Sequence, residues 1–526
     1  MLSKDHPHWP KHLPVDLTGP EATLIDHLVT SAGRFPDKAA FIEHGRTMTF
    51  AALLHRVEAF AGYLQQRCDV KRGDRVLLCM QNCNDFVVAY YAILRADAIV
   101  VPANPMWRNE ELRHLRDDTG AKVGVCSAAL MPDLQALGPD LAHCIGAGEA
   151  MEDAIAEELR PAPCQSRPHD VALLLYSSGT TGRPKGCIHT HWNLGRIATG
   201  WLAWLGVYTD SVLLMAAPLF HITGMINMLV SPVLTGATVV VLGRWDRDAA
   251  CRLTDDHAIT HWTMVPTMVI DLLANSRLDA YSLASVVRIS GGGAAMPEAV
   301  AGMLEERIGP YIEGYGLSEF GYALSNPSSR PKRQCLGIPL FGVDARVLEI
   351  GGSREVAGGD VGELVVHSRF AFSGYWNDAE ATDAAFMRLD GLAFLRTGDI
   401  VRVDEDGYFF LVDRLKRMVN ASGYKVWPAE IESMLHAHPA VLEACVISAP
   451  DARRGETVKA VVVLRQEALG RTTPKDIVEW SSQRMAAYKY PRVVVFAERL
   501  PKTASGKTDW RALQRAQALA DDRSND

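Results

Sequence analysis

Tyr176-Ser177-Ser178-Gly179-Thr180-Thr181-Gly182-Arg183-Pro184-Lys185-Gly186 is the most informative segment of this chain. The apolar run 171–175 before it predicts a β-strand, and a helical pattern begins after it near His191. The segment is therefore predicted to be a loop between a strand and a helix, where backbone N–H groups can converge on an anion. Its glycines allow unusual backbone conformations, its hydroxyls can donate hydrogen bonds, and Lys185 supplies a positive charge. These features predict a phosphate-binding loop.

The loop differs from the P-loop of nucleoside triphosphatases. That pattern requires Ser or Thr directly after the lysine, whereas here Pro184 precedes Lys185 and Gly186 follows it. A surface loop without a ligand is the alternative structural interpretation of such a composition. The position after a strand, and the order of hydroxyls, glycines and lysine, favour phosphate binding.

Short apolar runs alternate with helical patterns through the first two thirds of the chain. This alternation predicts a mainly parallel sheet covered on both faces by helices. The region 337–410 is rich in glycine and in short alternating runs, which predicts antiparallel, barrel-like structure. The last ~110 residues have the size of a separate α+β domain, in which Pro428 opens a helix. The predicted strands are 75–80, 99–102, 123–126, 238–242, 261–265 and 286–290, and a helix is predicted over 84–98.

Composition limits the classes of function. The chain has 526 residues, a formal net charge of −8 and 48% hydrophobic residues, which is ordinary for a globular enzyme and unlike a nucleic-acid-binding protein. No run of ~20 apolar residues and no signal peptide is found, so we expect no integral membrane segment. The ten cysteines include no C-x-x-C pair and are expected to be reduced thiols of a cytoplasmic protein.

Residues 176–186 resemble the signature loop of the adenylate-forming superfamily, which includes acyl-CoA synthetases, adenylation domains of peptide synthetases and firefly-type luciferases. Further segments resemble the family's other motifs and occur in the same order. They are Pro218–His221, Gly291–Ala295, Glu313–Glu319, Thr397–Asp399, Asp413–Met418 and Pro501–Lys507.

The resemblance implies an α/β fold with two parts joined by a hinge. The large N-terminal domain, residues 1–412, would contain two mainly parallel αβα subdomains and a β-barrel-like subdomain. Residues 413–416 would form the hinge, turning about Lys416. Residues 417–526 would form a small, mobile C-terminal α+β domain.

The resemblance also implies the residues of the site. Lys507, His221, Glu319 and Ser318 would be catalytic, and Glu319 would bind Mg²⁺. Serine stands at 318 where the family usually has threonine, and it keeps the hydroxyl. Gly423 and Tyr424 would serve the second step with coenzyme A. The residues expected to bind ATP or AMP are Ser177, Ser178, Gly179, Thr180, Thr181, Gly182, Lys185, Gly292, Gly293, Ala294, Glu313, Gly314, Tyr315, Gly316, Ser318, Asp399, Arg414 and Lys507. By the same resemblance, Gly292, Gly293 and Ala294 would form the wall beside the adenine and the acyl group, and Tyr315 would stack on the adenine. Asp399 and Arg414 would contact the ribose.

The implied function is an ATP-dependent carboxylic acid–CoA ligase that uses ATP, Mg²⁺ and coenzyme A. Apolar residues near the motifs (Met225, Met228, Trp192 and Phe320) favour an apolar acid, in the first place a medium- or long-chain fatty acid. The alternatives are an aryl or branched acid, a free-standing enzyme that loads a carrier protein, and a non-catalytic nucleotide or acyl sensor. The expected partners are these small molecules and no nucleic acid, with a homodimer as a candidate assembly.

Two histidine pairs have the spacing H-x-H. His189 and His191 lie just after the loop, and His436 and His438 lie in the last quarter of the chain. Because neither pair has a third ligand in view, we predict that they are not metal ligands. We interpret His189 as a loop residue and His191 as the start of a helix.

Overall fold

The computed structural model describes residues 6–17, 21–177, 184–294, 296–421, 424–451, 455–502 and 508–525, with the backbone alone at 177 and 520–525. The chain divides into two compact units. The first comprises Met1–Ala345, Val366–Leu395 and Asp406–Tyr408, and the second comprises Arg346–Val365, Arg396–Glu405 and Phe409–Asp526.

The strands are numbered in chain order. They are β1 Ala39–Glu43, β2 Arg46–Thr49, β3 Arg75–Cys79, β4 Ile99–Pro102, β5 Val123–Cys126, β6 His143–Gly146, β7 Val171–Ser177, β8 Lys185–Thr190, β9 Val212–Met215, β10 Thr238–Val241, β11 His261–Thr263, β12 Arg288–Gly292, β13 Tyr311–Leu317, β14 Gly321–Ser325, β15 Ile338–Pro339, β16 Asp344–Leu348, β17 Gly362–His367, β18 Phe386–Leu389, β19 Leu392–Val403, β20 Phe409–Arg414, β21 Val419–Ala421, β22 Tyr424–Val426, β23 Val441–Asp451, β24 Gly455–Leu464 and β25 Val493–Phe496.

The α-helices follow the same convention. They are α1 Leu24–Arg34, α2 Phe50–Arg67, α3 Asn84–Arg95, α4 Asn109–Thr119, α5 Met131–Gln135, α6 Glu149–Ala156, α7 His191–Leu205, α8 Ile222–Met225, α9 Ser231–Thr235, α10 Arg247–His257, α11 Pro266–Leu273, α12 Glu298–Arg307, α13 Ala379–Ala385, α14 Pro428–His436, α15 Pro474–Ser482 and α16 Trp510–Asn525. A π-helical turn, Ile226–Val230, lies between α8 and α9.

A six-stranded sheet, in the order β6-β5-β3-β4-β7-β8, carries the predicted phosphate loop. Its first four pairings are parallel, whereas β7 and β8 pair antiparallel, with Ser177 opposite Lys185. The expectation that the loop runs directly from a strand into a helix is therefore wrong. A second strand intervenes because Lys185–Thr190 occupies the open edge of β7, so helix α7 begins only at His191.

A nine-stranded sheet, in the order β15-β14-β13-β12-β11-β9-β10-β1-β2, forms the centre of the first unit. The six neighbouring strands β13, β12, β11, β9, β10 and β1 pair parallel. The antiparallel pairs lie at the two edges, where β2 pairs with β1 and where β14 pairs with β13 and β15. One face of this sheet is apolar and buries Trp262, Ile289 and Leu214 against α10, α11 and α12. The loops after β9, β12 and β13 all leave from the carboxyl edge, where ligands of open α/β sheets commonly bind.

Two further sheets complete the fold. One has the order β16-β17-β19-β18 with β20 on β19, and its described pairings are antiparallel. The other, in the order β22-β21-β24-β23 with β25 parallel to β24, belongs to the second unit. Helices α14 and α15 pack on this sheet through Ile431, Leu435 and Ile477.

The strands predicted from sequence are confirmed, with shifts of one or two residues at their ends. The largest shift is at β12, which runs from Arg288 to Gly292 where 286–290 was expected. Gly291 and Gly292 are therefore the last residues of the strand and not a loop that follows it. Among the described residues, no helix is long and apolar enough to cross a membrane.

Candidate functional site

The phosphate loop is described at its two ends. Ser177 ends β7 and Lys185 begins β8, and the two residues pair across the hairpin. Of the residues predicted to bind the phosphates, Ser178, Gly179, Thr180, Thr181 and Gly182 lie outside the described part of the chain. The hairpin places both ends of the loop at the same point of the sheet.

Lys185 makes two contacts with a segment that sequence reasoning missed. Its Nζ lies 3.1 Å from Asp378 Oδ2 and 5.3 Å from the centroid of the Tyr375 ring. Asp378 also caps helix α13 by accepting a hydrogen bond from the backbone N–H of Ala381. That hydrogen bond, followed by the lysine, lowers the pKa of Asp378. The carboxylate therefore stays charged and holds the ammonium near the end of the loop.

Glu319, the predicted magnesium ligand, contacts the same segment. The Tyr375 hydroxyl donates a hydrogen bond of 2.8 Å to Glu319 Oε1. Burial and the neighbouring carboxylate raise the pKa of the Tyr375 phenol, so it remains a donor at neutral pH. Mg²⁺ commonly takes one or two carboxylates together with substrate phosphates and water. A single carboxylate beside a phosphate loop fits this donor set, and the described residues contain no cluster of three acidic, His or Cys ligands.

Backbone hydrogen bonds join the segment around Tyr375, which sequence reasoning missed, to Glu319 on one side and to Gly186 on the other. Phe372 N–H donates to Glu319 O at 2.9 Å, and Trp376 N–H donates to Gly186 O at 2.8 Å. The sequence signal that could have found this segment is Gly374-Tyr375-Trp376 just ahead of a helix N-cap. Such a turn has many structural uses, so the sequence alone does not indicate that it joins Glu319 to the phosphate loop.

Ser318 is held through a buried histidine. His189 Nε2–H donates to the backbone carbonyl of Ser318 at 2.7 Å, and His189 Nδ1 accepts from Asn193 Nδ2 at 3.2 Å. Burial lowers the pKa of His189 to about 4, so the ring is neutral at pH 7. The interpretation of His189 as a loop residue is wrong, because it lies in β8 and joins that strand to the loop after β13. His191 is the first residue of α7, as predicted.

The predicted adenine wall begins at the end of β12 and lies beside glycines of the paired strand β13. Gly292 lies opposite Gly314, and a Cβ on Gly292 would come within 2.0 Å of Gly314 O. Gly293 follows with φ +83°, a conformation that favours glycine. Glycine is required at Gly316 for a different reason: an added Cβ would lie 1.7 Å from Gly321 O in the β13–β14 hairpin. Ala294 is exposed beside this wall, and the predicted stacking residue Tyr315 is buried in β13.

Glu313 is almost fully buried. Its side chain is 4% exposed and lines a cavity between β13 and α12 whose other polar residues include Glu305, Lys332 and Arg333. Burial raises the pKa of Glu313 to about 8, against the effect of a hydrogen bond from the backbone of Met296. The group is therefore a neutral acid at pH 7.

His221 begins the short helix α8, as its N-cap, after the turn Pro218–Phe220. Two of the predicted pocket residues, Met225 and Met228, are buried in the helical turns that follow. The π-helical turn also carries Asn227, a buried amide that sequence reasoning missed. Of the other predicted pocket residues, Phe320 is buried, and Trp192 packs its ring against Phe370.

Asn227 joins the helical layer to the sheet. Its Nδ2 donates to Thr263 Oγ1 at 3.0 Å, and its Oδ1 accepts from the Tyr322 hydroxyl at 3.1 Å. The Tyr322 ring stacks on Trp201 with centroids 3.7 Å apart. A Cβ on Gly314 would lie 2.9 Å from Trp201 Cη2, so the indole edge packs on the glycine backbone. This face of the sheet is therefore aromatic and partly polar.

The second unit brings together the two residues predicted to hold ribose. Asp399 and Arg414 are paired in β19 and β20, and Arg414 Nε lies 2.9 Å from Asp399 Oδ1. Asp399 is buried, which orients its carboxylate, and Arg414 is half exposed. A buried carboxylate can accept hydrogen bonds from ribose hydroxyls.

The predicted hinge and second-step residues also lie in the second unit. Lys416 is exposed in a short 3₁₀ turn, Leu415–Arg417. Asp413 anchors the start of this segment, since its carboxylate accepts from the backbone of Ala429 at 2.7 Å. Tyr424 is exposed and stacks on Tyr488 at 4.5 Å. Gly423 and Lys507 lie outside the described residues.

Comparison with known proteins identifies two regions of the chain that match family models. A family model described as "AMP-binding enzyme" matches residues 28–376, and one described as "AMP-binding enzyme C-terminal domain" matches residues 430–507. Both the predicted phosphate loop and the predicted adenine wall fall within the first match. Glu319 and Tyr375 also fall within it.

Similar proteins match almost the whole chain. A long-chain-fatty-acid–CoA ligase of Bacillus subtilis is 32% identical over 95% of this chain and 95% of its own length. A feruloyl-CoA synthase of an Amycolatopsis species is 34% identical over 90% of this chain and 95% of its own length. Among solved structures, ATP-bound MatB from Rhodopseudomonas palustris matches with a TM-score of 0.86 and 28% identity, covering 94% of this chain and 98% of the other.

Proposed function

This chain belongs to the AMP-binding enzymes, as an AMP-forming acid–thiol ligase, and we propose that it joins an apolar carboxylic acid to coenzyme A. ATP, Mg²⁺ and coenzyme A take part in the reaction. In the first step a carboxylate oxygen attacks the α-phosphorus of ATP and the bond to pyrophosphate breaks. In the second step the CoA sulfur attacks the acyl carbon, AMP leaves with the bonding electron pair, and the thiol proton is released.

The observation that carries the proposal is the position of Lys185 and Glu319 around Tyr375. A cation at the end of the phosphate loop and a predicted metal-binding carboxylate both contact the side chain of Tyr375, which supports binding of the triphosphate tail there. Bound magnesium supplies neutralisation of charge on the departing pyrophosphate. Because the reaction brings two anions together, positioning and charge neutralisation are the main contributions expected from the protein.

The remaining roles follow the site geometry. Gly292 and Gly314, whose strands approach too closely for side chains, are proposed to lie against the adenine, with Tyr315 next to Gly314 in the sequence. Asp399 and Arg414 are proposed to hold the ribose. The Ser318 hydroxyl is proposed to contact the α-phosphate. The other proposed ATP ligands are Ser177, Ser178, Gly179, Thr180, Thr181, Gly182, Gly293, Ala294, Glu313, Gly316 and Lys507.

The nature of the acid is proposed from the segment after His221. Met225 and Met228 are buried there, and flexible thioethers adapt to apolar ligands of varied shape. This supports an apolar acid such as a medium- or long-chain fatty acid. An aryl acid is the second candidate, favoured by the stacked pair of Trp201 and Tyr322 against the glycine backbone.

A panel of acids separates these candidates. The purified protein, with ATP, Mg²⁺ and CoA, is incubated with saturated acids of graded length and with benzoates and cinnamates. Formation of acyl-CoA is followed by mass spectrometry and pyrophosphate release by a coupled assay. Pyrophosphate release without acyl-CoA would point to a separate carrier protein as acceptor, and release of neither product would refute the proposed ligase.

Lys507 is the residue proposed to stabilise charge on the α-phosphoryl oxygens. Lys507→Ala is expected to lower adenylate formation by roughly two orders of magnitude or more, because a pre-aimed cation contributes several kcal/mol to the transition state. Thioester formation from supplied acyl-AMP should be largely spared. Single-turnover measurements of each half-reaction test this, with Lys502→Ala as the control lysine, and an equal loss in both steps would contradict the assignment.

The second step is proposed to use another face of the second unit, including Gly423 and Tyr424, after rotation about Lys416. A cytoplasmic location and a homodimeric assembly are also proposed. Fractionation of the native host and light scattering of the purified protein test these two statements.

A further inference from the structure

Tyr375 links the two charged groups of the phosphate site. Its hydroxyl hydrogen-bonds to Glu319 Oε1, and its ring lies 5.3 Å from the Lys185 ammonium. Its backbone forms a β-bridge with Cys187, two residues after that lysine. One side chain thus contacts both the predicted metal ligand and the cation at the end of the loop.

The surrounding backbone fixes this arrangement. Residues 372–378, which we call the Tyr375 turn, bond to Glu319 through Phe372 N–H and to Gly186 through Trp376 N–H. Two further bonds join Ser373 and Gly374 of the turn to Ile188 of β8, at 2.9 and 3.0 Å. The turn can therefore shift relative to β8 or Glu319 only by breaking several hydrogen bonds.

The hydrogen bond leaves Glu319 able to bind a metal. A carboxylate has two oxygens with about four lone-pair directions, and the phenol uses one of them. A group that holds a metal ligand by a hydrogen bond fixes its orientation, and loss of such a group typically weakens metal affinity 10- to 100-fold. Tyr375 has the geometry of such a group.

We propose that Tyr375 is a positioning residue for magnesium-bound ATP: its hydroxyl orients the Glu319 carboxylate, and the Tyr375 turn sets the distance from that carboxylate to Lys185. This inference rests on the proposed function, in which Glu319 binds the metal. It concerns a side chain outside the motifs that resemble the family.

Tyr375→Phe separates this role from simple packing. Phenylalanine keeps the ring against Phe372 and Lys185 and removes only the hydroxyl. Binding of the non-hydrolysable analogue α,β-methylene-ATP is measured by calorimetry with and without Mg²⁺. We expect affinity without Mg²⁺ to change less than about twofold, and affinity with Mg²⁺ to fall about 10-fold.

Activity supplies a second readout. The Mg²⁺ concentration that gives half-maximal pyrophosphate release should rise about 10-fold, and saturating Mg²⁺ should restore most of kcat. In the Glu319→Gln background, Tyr375→Phe should have little further effect, since the group it orients no longer binds metal. Tyr281→Phe is the matched control, because Tyr281 also donates to a carboxylate, Asp248, at 3.3 Å.

Two outcomes overturn the inference. One is an unchanged Mg²⁺ dependence in Tyr375→Phe, and the other is an equal loss of nucleotide affinity with and without Mg²⁺. These outcomes differ from a failure of the proposed function. In that case the wild-type protein itself would show no Mg²⁺-dependent nucleotide binding and no pyrophosphate release.

Discussion

Burial determines the protonation state of Glu313, a residue predicted to bind ATP. Its carboxyl group is 4% exposed, and its pKa is raised to about 8, mainly because burial disfavours the charged form. At pH 7 the folded protein keeps this proton, whereas in the unfolded chain a glutamate with a pKa near 4.3 has lost it. The folded state thus binds one proton more between about pH 4.3 and pH 8.

The stability of the first unit should therefore respond to Glu313→Gln in a pH-dependent way. The contribution of a group with a raised pKa is fully present below its unfolded pKa and is lost as pH rises towards the folded value. Glutamine mimics the neutral acid and does not ionise, so the variant should gain stability relative to wild type as pH rises from 5 to 8. We expect a difference on the order of a few kcal/mol at pH 8.

Thermal melts at several pH values measure this effect. Glu305→Gln serves as the control, because Glu305 lies at the same cavity but is exposed and paired with Arg333. A melting-temperature difference between Glu313→Gln and wild type that does not vary with pH would contradict the assigned protonation.

At the scale of elements, the strand β8 illustrates what the sequence did not reveal. The sequence predicts the helix that begins at His191, but it does not indicate the strand Lys185–Thr190. Its pattern, KGCIHT, is short and starts with lysine and glycine, so its strand propensity is weak. Pairing with the edge of β7 makes it a strand, and that partner is a tertiary feature that local pattern does not contain.

The π-helical turn Ile226–Val230 lies next to the stacked rings from which an aryl acid is proposed. π-turns are rare and frequently mark functional sites. This one directs Asn227 towards Thr263 and Tyr322, and Tyr322 stacks on Trp201 of helix α7. We infer that the stacked rings limit the depth available to a substrate beside the glycine pair.

Trp201→Leu should therefore change selectivity. The smaller side chain leaves space beside Gly314, so the ratio of kcat/KM for a long-chain acid over a benzoate should rise about 10-fold or more. The ratio is obtained from initial rates with both acids. Trp204→Leu is the matched control, since Trp204 is a buried indole on the same helix that bonds to Asn326 O. Equal changes in the two variants would exclude a specific role for Trp201.

For the whole molecule, the sequence predicted the order of motifs and the layered α/β fold better than the contacts within the site. The glycines of β12 and β13 stand out in the sequence because close backbone approach demands glycine there, as the 2.0 Å distance at Gly292 shows, and their role in binding the nucleotide stays a prediction. Tyr375 and Asn227 could not be found in the same way. Each is an ordinary residue whose role depends on partners far away in sequence, and only the folded chain brings those partners together.

Three buried histidines of the first unit contribute to the response of the molecule to acid. His189, His191 and His261 all have a pKa lowered to about 4, in each case mainly by burial. In the unfolded chain they would titrate near 6.5. A group with a lowered pKa of this kind stabilises the fold above its unfolded pKa, and that stability is lost as pH falls.

The unfolded chain should therefore take up about three more protons than the folded one between pH 6.5 and pH 4, partly offset by the proton that Glu313 keeps. These three histidines and Glu313 together should contribute a fall in stability of about 3 kcal/mol per pH unit in this range, from a net difference of two protons at about 1.4 kcal/mol each. His261→Gln, which leaves the proposed site intact, should reduce the histidine part of this slope by about one third. Denaturant melts at pH 4.5 to 6.5 measure the slope, with the exposed His55→Gln as the control. A slope that His261→Gln leaves unchanged would mean that the buried imidazole gains its proton without unfolding.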